Sequence, residues 1–83
     1  MSERDLARAI IKQALRDAFS KKDTQIRQES RNFLIGSSKA WLTSLEDICL
    51  LAEMNPYRII KTAQNWQKNG WPNPKYLKNL LKF

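Results

Sequence analysis

The sequence predicts an all-α protein, a small bundle of four or five helices, and three observations carry that expectation. Glycine (2) and proline (3) are scarce in a chain of 83 residues, which disfavours a turn-rich β protein. Apolar residues recur at helical spacing, and no run keeps the period-2 alternation of a half-buried strand. The breaks between the periodic segments carry residues that cap or stop helices. A chain of 83 residues has room for a single domain over 1–83, and its 42 % apolar and 28 % charged content is ordinary for a folded protein.

The first helix is expected from Ser2 to about Ser20. Leu6, Ile10, Ile11, Ala14, Leu15, Ala18 and Phe19 share one helical face, with Ser2 as N-cap and Glu3 and Asp5 in the first turn. Arg4, Arg8, Lys12 and Arg16 recur every four residues and read as a solvated flank. Ser20-Lys21-Lys22-Asp23 breaks the pattern. A second helix follows from Asp23 or Thr24 to about Ile35, with Ile26, Phe33 and Leu34 as core candidates, and Gly36 closes it. Trp41 reads as a core plug. The third helix is expected from Ser44 to Met54, where Ser44 with Asp47 or Thr43 with Glu46 offers a capping box. Leu45, Ile48, Leu51 and Ala52 give it a buried face. Pro56 cannot continue that helix but suits the first turn of the next, which runs to about Lys68 with Ile59, Ile60, Ala63 and Trp66 inward. Trp71-Pro72-Asn73-Pro74 is a rigid connector, and a basic terminal helix is expected over Lys75–Phe83.

Charge is unevenly placed. Met1 to Glu53 holds nine bases and all eight acids, whereas Met54 to Phe83 holds six bases and no acid. One-sided positive charge of this kind is the electrostatic footprint of a protein that meets a polyanion.

The residue inventory narrows the chemistry. Histidine is absent and Cys49 is the single cysteine, which removes zinc fingers, Cys/His nucleophile pairs and internal disulfides. General acid–base work near neutral pH has no histidine to use, and two glycines do not make a phosphate-binding loop. Cys49 falls on an apolar helix face and reads as packing. The expectation is therefore a non-enzyme with no metal, cofactor or small-molecule substrate. The longest clear apolar run, Ile48 to Ala52, is five residues, far below the ~18 of a membrane span. With a lone thiol and no secretory leader, a cytoplasmic protein with no membrane partner is expected.

Two short helices joined by about three residues, the second one basic, outline a helix-turn-helix over residues 44–68. Leu45 to Gln64 bears comparison place by place. Ile48 supplies the apolar fourth place, Cys49 the small fifth, Ala52 and Met54 the apolar eighth and tenth, and Ile59 the fifteenth. This stretch resembles the twenty-residue helix-turn-helix of lac-repressor-like and phage regulators. It departs from that pattern at Glu53, where glycine is usual in the turn, and at Thr62, where an aliphatic residue is usual. A weaker resemblance, carried by Phe33-Leu34, Trp41, Cys49, Leu51-Ala52, Asn55-Pro56 and Ile59, is to small phage or prophage helical proteins, and implies origin more than activity.

The helix-turn-helix resemblance implies a transcriptional regulator that binds double-stranded DNA. The helix opening at Pro56 would be the reader, with Tyr57, Arg58, Lys61, Thr62, Gln64 and Asn65 toward base edges. Lys68, Lys75 and Lys78 would meet phosphates. Such regulators commonly pair half-sites, and Lys75–Phe83 is the expected homodimer segment because it is the only one expected to have apolar surface left over once the core is built. Two other readings fit the composition. One is a small modulator or inhibitor of a nucleic-acid-processing host complex, using exposed Trp66, Trp71, Tyr76, Leu80, Leu81 and Phe83 as a partner surface. The other is RNA binding by the aromatic and basic residues near Phe83.

Overall fold

The computed structural model describes residues 2–72, and the described residues are all-helical, with α1 over Glu3–Asp17, α2 over Thr24–Ile35, α3 over Lys39–Ala52 and α4 over Pro56–Asn69. The segment Lys75–Phe83, expected as a terminal helix and dimer contact, lies outside the described residues, as do Lys75 and Lys78.

Each helix begins on a side chain that satisfies an otherwise orphaned amide. Ser2 Oγ accepts from the Asp5 amide at 3.1 Å, Asp23 Oδ1 from Ile26 at 3.0 Å, Ser38 Oγ from Trp41 at 3.3 Å and Asn55 Oδ1 from Tyr57 at 2.9 Å. The third of these corrects the expected start of α3. Capping falls to Ser38 rather than to Thr43 or Ser44, so Trp41 sits in the first turn of the helix. The reason lies one step earlier. Gly36 adopts the left-handed conformation (φ 61°, ψ 48°), and the Ser37 amide reaches back to the Asn32 carbonyl at 3.1 Å. The chain is thereby reversed within two residues, and Ser38 is already placed to cap.

Ala7, Ile11, Leu15 and Ala18 of α1 and the residue following it meet Leu34 of α2, Leu45, Cys49 and Ala52 of α3, and Ile60 and Ala63 of α4 in one buried cluster. α1 packs most extensively on α3, α2 touches all three other helices, and α3 and α4 touch each other only lightly.

Several residues expected in the core lie outside it. Leu6 is 55 % exposed and Ile10 41 %, because the buried stripe of α1 runs through Ala7 and Ile11, about 100° further round the helix. Ile26 and Leu51 are likewise exposed, at 42 % and 47 %. Trp41 is half-buried rather than a core plug. It lies edge-on to Phe33, with centroids 6.4 Å apart, on a shallow groove shared with Ile10 and Ala14.

Trp66, expected inward on α4 and also offered with Trp71 as an exposed partner residue, is half-buried, as is Trp71, in an aromatic cluster with Phe19. The three ring pairs lie 5.5–6.1 Å apart, and the Arg31 guanidinium sits 4.4 Å from the Trp71 ring centroid. Among the described residues spare apolar surface is found at Leu6, Leu50, Leu51 and Tyr57, which corrects the expectation that Lys75–Phe83 alone would have any. Among the described residues no helix is long and apolar enough to cross a membrane.

Candidate nucleic-acid interface

The turn between α3 and α4 is built from sequence-local rules with one exception. α3 ends in a Schellman arrangement, in which the Met54 amide donates to the Cys49 carbonyl at 2.9 Å and the Glu53 amide to Leu50 at 3.3 Å. This geometry demands a left-handed residue, and Glu53 supplies it at φ 57° and ψ 45°, the one non-glycine at positive φ among the described residues. Glu53 thus takes the conformation that glycine usually provides at the ninth place of a helix-turn-helix. Asn55 then caps α4, and Pro56 occupies its first turn, where the missing amide hydrogen costs nothing.

On α4, Ile60 and Ala63 are buried and Ile59 and Trp66 half-buried, which turns Arg58, Lys61, Asn65 and Lys68 to the opposite side. Together with Thr62 and Gln64 these residues line an open concavity of about 590 Å³ along the helix. Arg58 and Lys68 are ten residues apart, so the face is roughly 15 Å long. No acid lines it, and among the described residues Arg58, Lys61 and Lys68 enter no ion pair.

The expected site residues do not all behave alike. Tyr57 is exposed, but its hydroxyl donates to Glu46 Oε2 of α3 at 3.2 Å, which ties the ring back across the turn. Gln64 Nε2 donates to the Ile35 carbonyl at the end of α2 at 3.3 Å, leaving its carbonyl oxygen uncommitted in that contact. Thr62 Oγ1 donates to the Arg58 carbonyl within α4 at 2.9 Å. Asn65 Oδ1 accepts from Asn69 Nδ2 at 2.8 Å, one turn further along α4. The structure therefore gathers Arg58, Lys61, Thr62, Asn65 and Lys68 on one open surface, with Tyr57 and Gln64 braced at its edges.

Four arginines outside α4 have roles that the sequence does not announce. Arg8 Nε donates to the Ala52 carbonyl at 3.0 Å, and Arg4 pairs with Glu53 at 3.2 Å, so α1 grips the α3–α4 turn from the side. At the other end of α1, Arg27 donates to the Ser20 carbonyl at 3.2 Å and Arg31 Nε to the Ala18 carbonyl at 2.8 Å. Burial, and then the neighbouring Arg27 charge, pull Arg31 below the ordinary guanidinium value. The four-residue spacing of each pair is visible in the sequence, but not the carbonyls it reaches. Arg8 is thus a half-buried turn contact rather than part of a solvated flank, and Arg4 touches the turn while staying exposed.

Cys49 is fully buried, and that burial pushes its thiol up to about 11. A neutral thiol with no solvent access packs and does not attack. Among the described residues no group of three or more His, Cys, Asp or Glu side chains is placed to hold a metal ion. Comparison with known proteins found no matching family model, no matching curated protein and no matching solved structure.

Proposed function

We propose that this protein binds double-stranded DNA through α4 and acts in transcriptional control. The observation that carries the reading is the pairing of a left-handed Glu53 turn with a helix whose outward face is Arg58, Lys61, Asn65 and Lys68. A helix-turn-helix presents its second helix to the major groove. On that face Arg58 and Lys61 suit guanine, Asn65 suits adenine, and Lys68 meets phosphate. One helix reads only a few base pairs, so a second copy or a larger assembly completes the site. Lys75–Phe83 is the proposed contact for the second copy.

A mobility-shift titration at two salt concentrations tests the reading with the full chain and a pool of random-sequence duplexes. Retarded complexes at low salt that weaken steeply as salt rises are expected, because phosphate contacts release counterions. Absence of any shift at low salt overturns it and favours a protein partner, whose apolar contacts are far less sensitive to salt.

A further inference from the structure

We propose that Arg8 of α1 is a positioning residue for α4, acting through the Ala52 carbonyl rather than through its charge. This inference rests on the reading of α4 as the DNA-contacting helix. The last carbonyls of any helix lack intrahelical partners. In α3 the Schellman bonds satisfy Cys49 and Leu50, which leaves the carbonyls of Leu51, a residue 47 % exposed, and of Ala52, a residue with no exposed surface, at the point where the chain turns left-handed. Arg8 Nε, from a half-buried side chain 44 residues away, meets that carbonyl at 3.0 Å. A buried carbonyl that loses its donor keeps its desolvation cost, so the turn is the element that yields. Asn55 and Pro56 follow at once, so a change at Ala52 or Glu53 re-aims the whole of α4. Arg4, paired to Glu53 with both side chains more than half exposed, is a weaker outer brace.

Three substitutions separate geometry from charge. Arg8→Gln places its Nε2 the same number of bonds from Cα as the arginine Nε, so it keeps a donor for Ala52 and removes the charge. Arg8→Met has similar length and neither donor nor charge. Arg8→Lys keeps the charge.

Amide hydrogen exchange on the full chain without DNA is the first readout. The Glu53 and Met54 amides should exchange at least about tenfold faster in Arg8→Met than in the parent, with Arg8→Gln close to the parent and core amides such as Leu15 unmoved. The second readout is binding to a duplex selected by the parent protein from a random pool, set against a random duplex of equal length. Arg8→Met should lower the preference for the selected duplex at least about fivefold with no change in salt slope, and Arg8→Gln should retain it. Equal losses in Gln and Met, with the slope reduced by about one and Lys unaffected, would make Arg8 a phosphate contact and overturn the proposal. Unchanged exchange in Arg8→Met overturns it too. Should the parent bind neither duplex, the DNA reading fails, and the exchange arm alone decides whether Arg8 holds the turn.

Discussion

Replacing Glu53 with glycine should stabilise this protein, and the structure allows the size of the effect to be worked out. Glu53 and Gly36 close α3 and α2 in nearly the same left-handed conformation, at φ 57° and 61°. A side chain in that region costs about 1–2 kcal/mol, and glycine removes it at an entropic cost of roughly 0.5–1 kcal/mol in the unfolded chain. The ion pair between Glu53 and Arg4 also disappears, but such exposed pairs contribute only about 0–1 kcal/mol. Measuring Glu53→Gly in an Arg4→Ala background removes that last contribution. The expected gain there is about 0.5–1 kcal/mol, read from urea unfolding followed by far-ultraviolet circular dichroism, with a melting point raised by a few degrees. Gly36→Ala is the mirror experiment. Its new Cβ would take the strain and stand 3.2 Å from Leu42 Cδ1, so a loss of about 1–2 kcal/mol is expected. A Glu53→Gly variant that is clearly less stable than its Arg4→Ala parent would refute the assignment of strain to this turn.

Leu45 has no exposed surface and belongs to the buried cluster that all four helices share, so Leu45→Ala should cost about 2–5 kcal/mol in the same unfolding assay. The Cys49 thiol is held at about 11 against 9.0 in the unfolded chain, so its contribution is fully present below about pH 9 and is lost as pH rises towards 11. Urea midpoints at pH 8 and pH 10.5 should therefore differ more in the parent than in Cys49→Ala. On the DNA reading, Arg58→Ala and Lys61→Ala should each weaken binding to the selected duplex by about 1–3 kcal/mol for every base edge left unread, and should relax sequence preference, measured by competition titration. Lys68→Ala should weaken all duplexes alike and lower the salt slope by about one.

Periodicity and punctuation made most of the fold legible. The Ser2 cap, the Gly36 stop and the Pro56 start were all readable, because each acts through its own few neighbours. The start of α3 was not. Ser38 and Ser44 are equally good caps in isolation, and only the tertiary fact that Gly36 reverses the chain at once selects the first. Leu6 and Ile10 misled for a related reason. An apolar stripe wider than the contact it makes does not say which of its edges is buried, and α2 and α3 chose the edge containing Ala7 and Ile11. On the candidate site, Tyr57, Arg58, Lys61, Thr62, Gln64, Asn65 and Lys68 were expected from the helix-turn-helix resemblance, and of these the structure turns Arg58, Lys61, Asn65 and Lys68 away from the core. The bracing of Tyr57 by Glu46 and of Gln64 by Ile35 involves other helices and leaves no local trace.

The hydrogen bond between Arg8 and Ala52 also bears on what counts as a unit. A helix-turn-helix is often treated as a portable piece, to be excised or grafted onto another scaffold. Here a fragment carrying only α3, the turn and α4 would lack the donor that meets the Ala52 carbonyl, the Arg4 brace on Glu53, and the Ala7–Ile11–Leu15 stripe that shares one buried cluster with Leu45 and Cys49. Since α3 and α4 pack less against each other than either does against α2, such a fragment would keep its cap and its proline yet lose the angle between its helices. Transplanting the outward face of α4 therefore means transplanting α1 and α2 with it, and the smallest portable unit runs from the Ser2 cap to the end of α4.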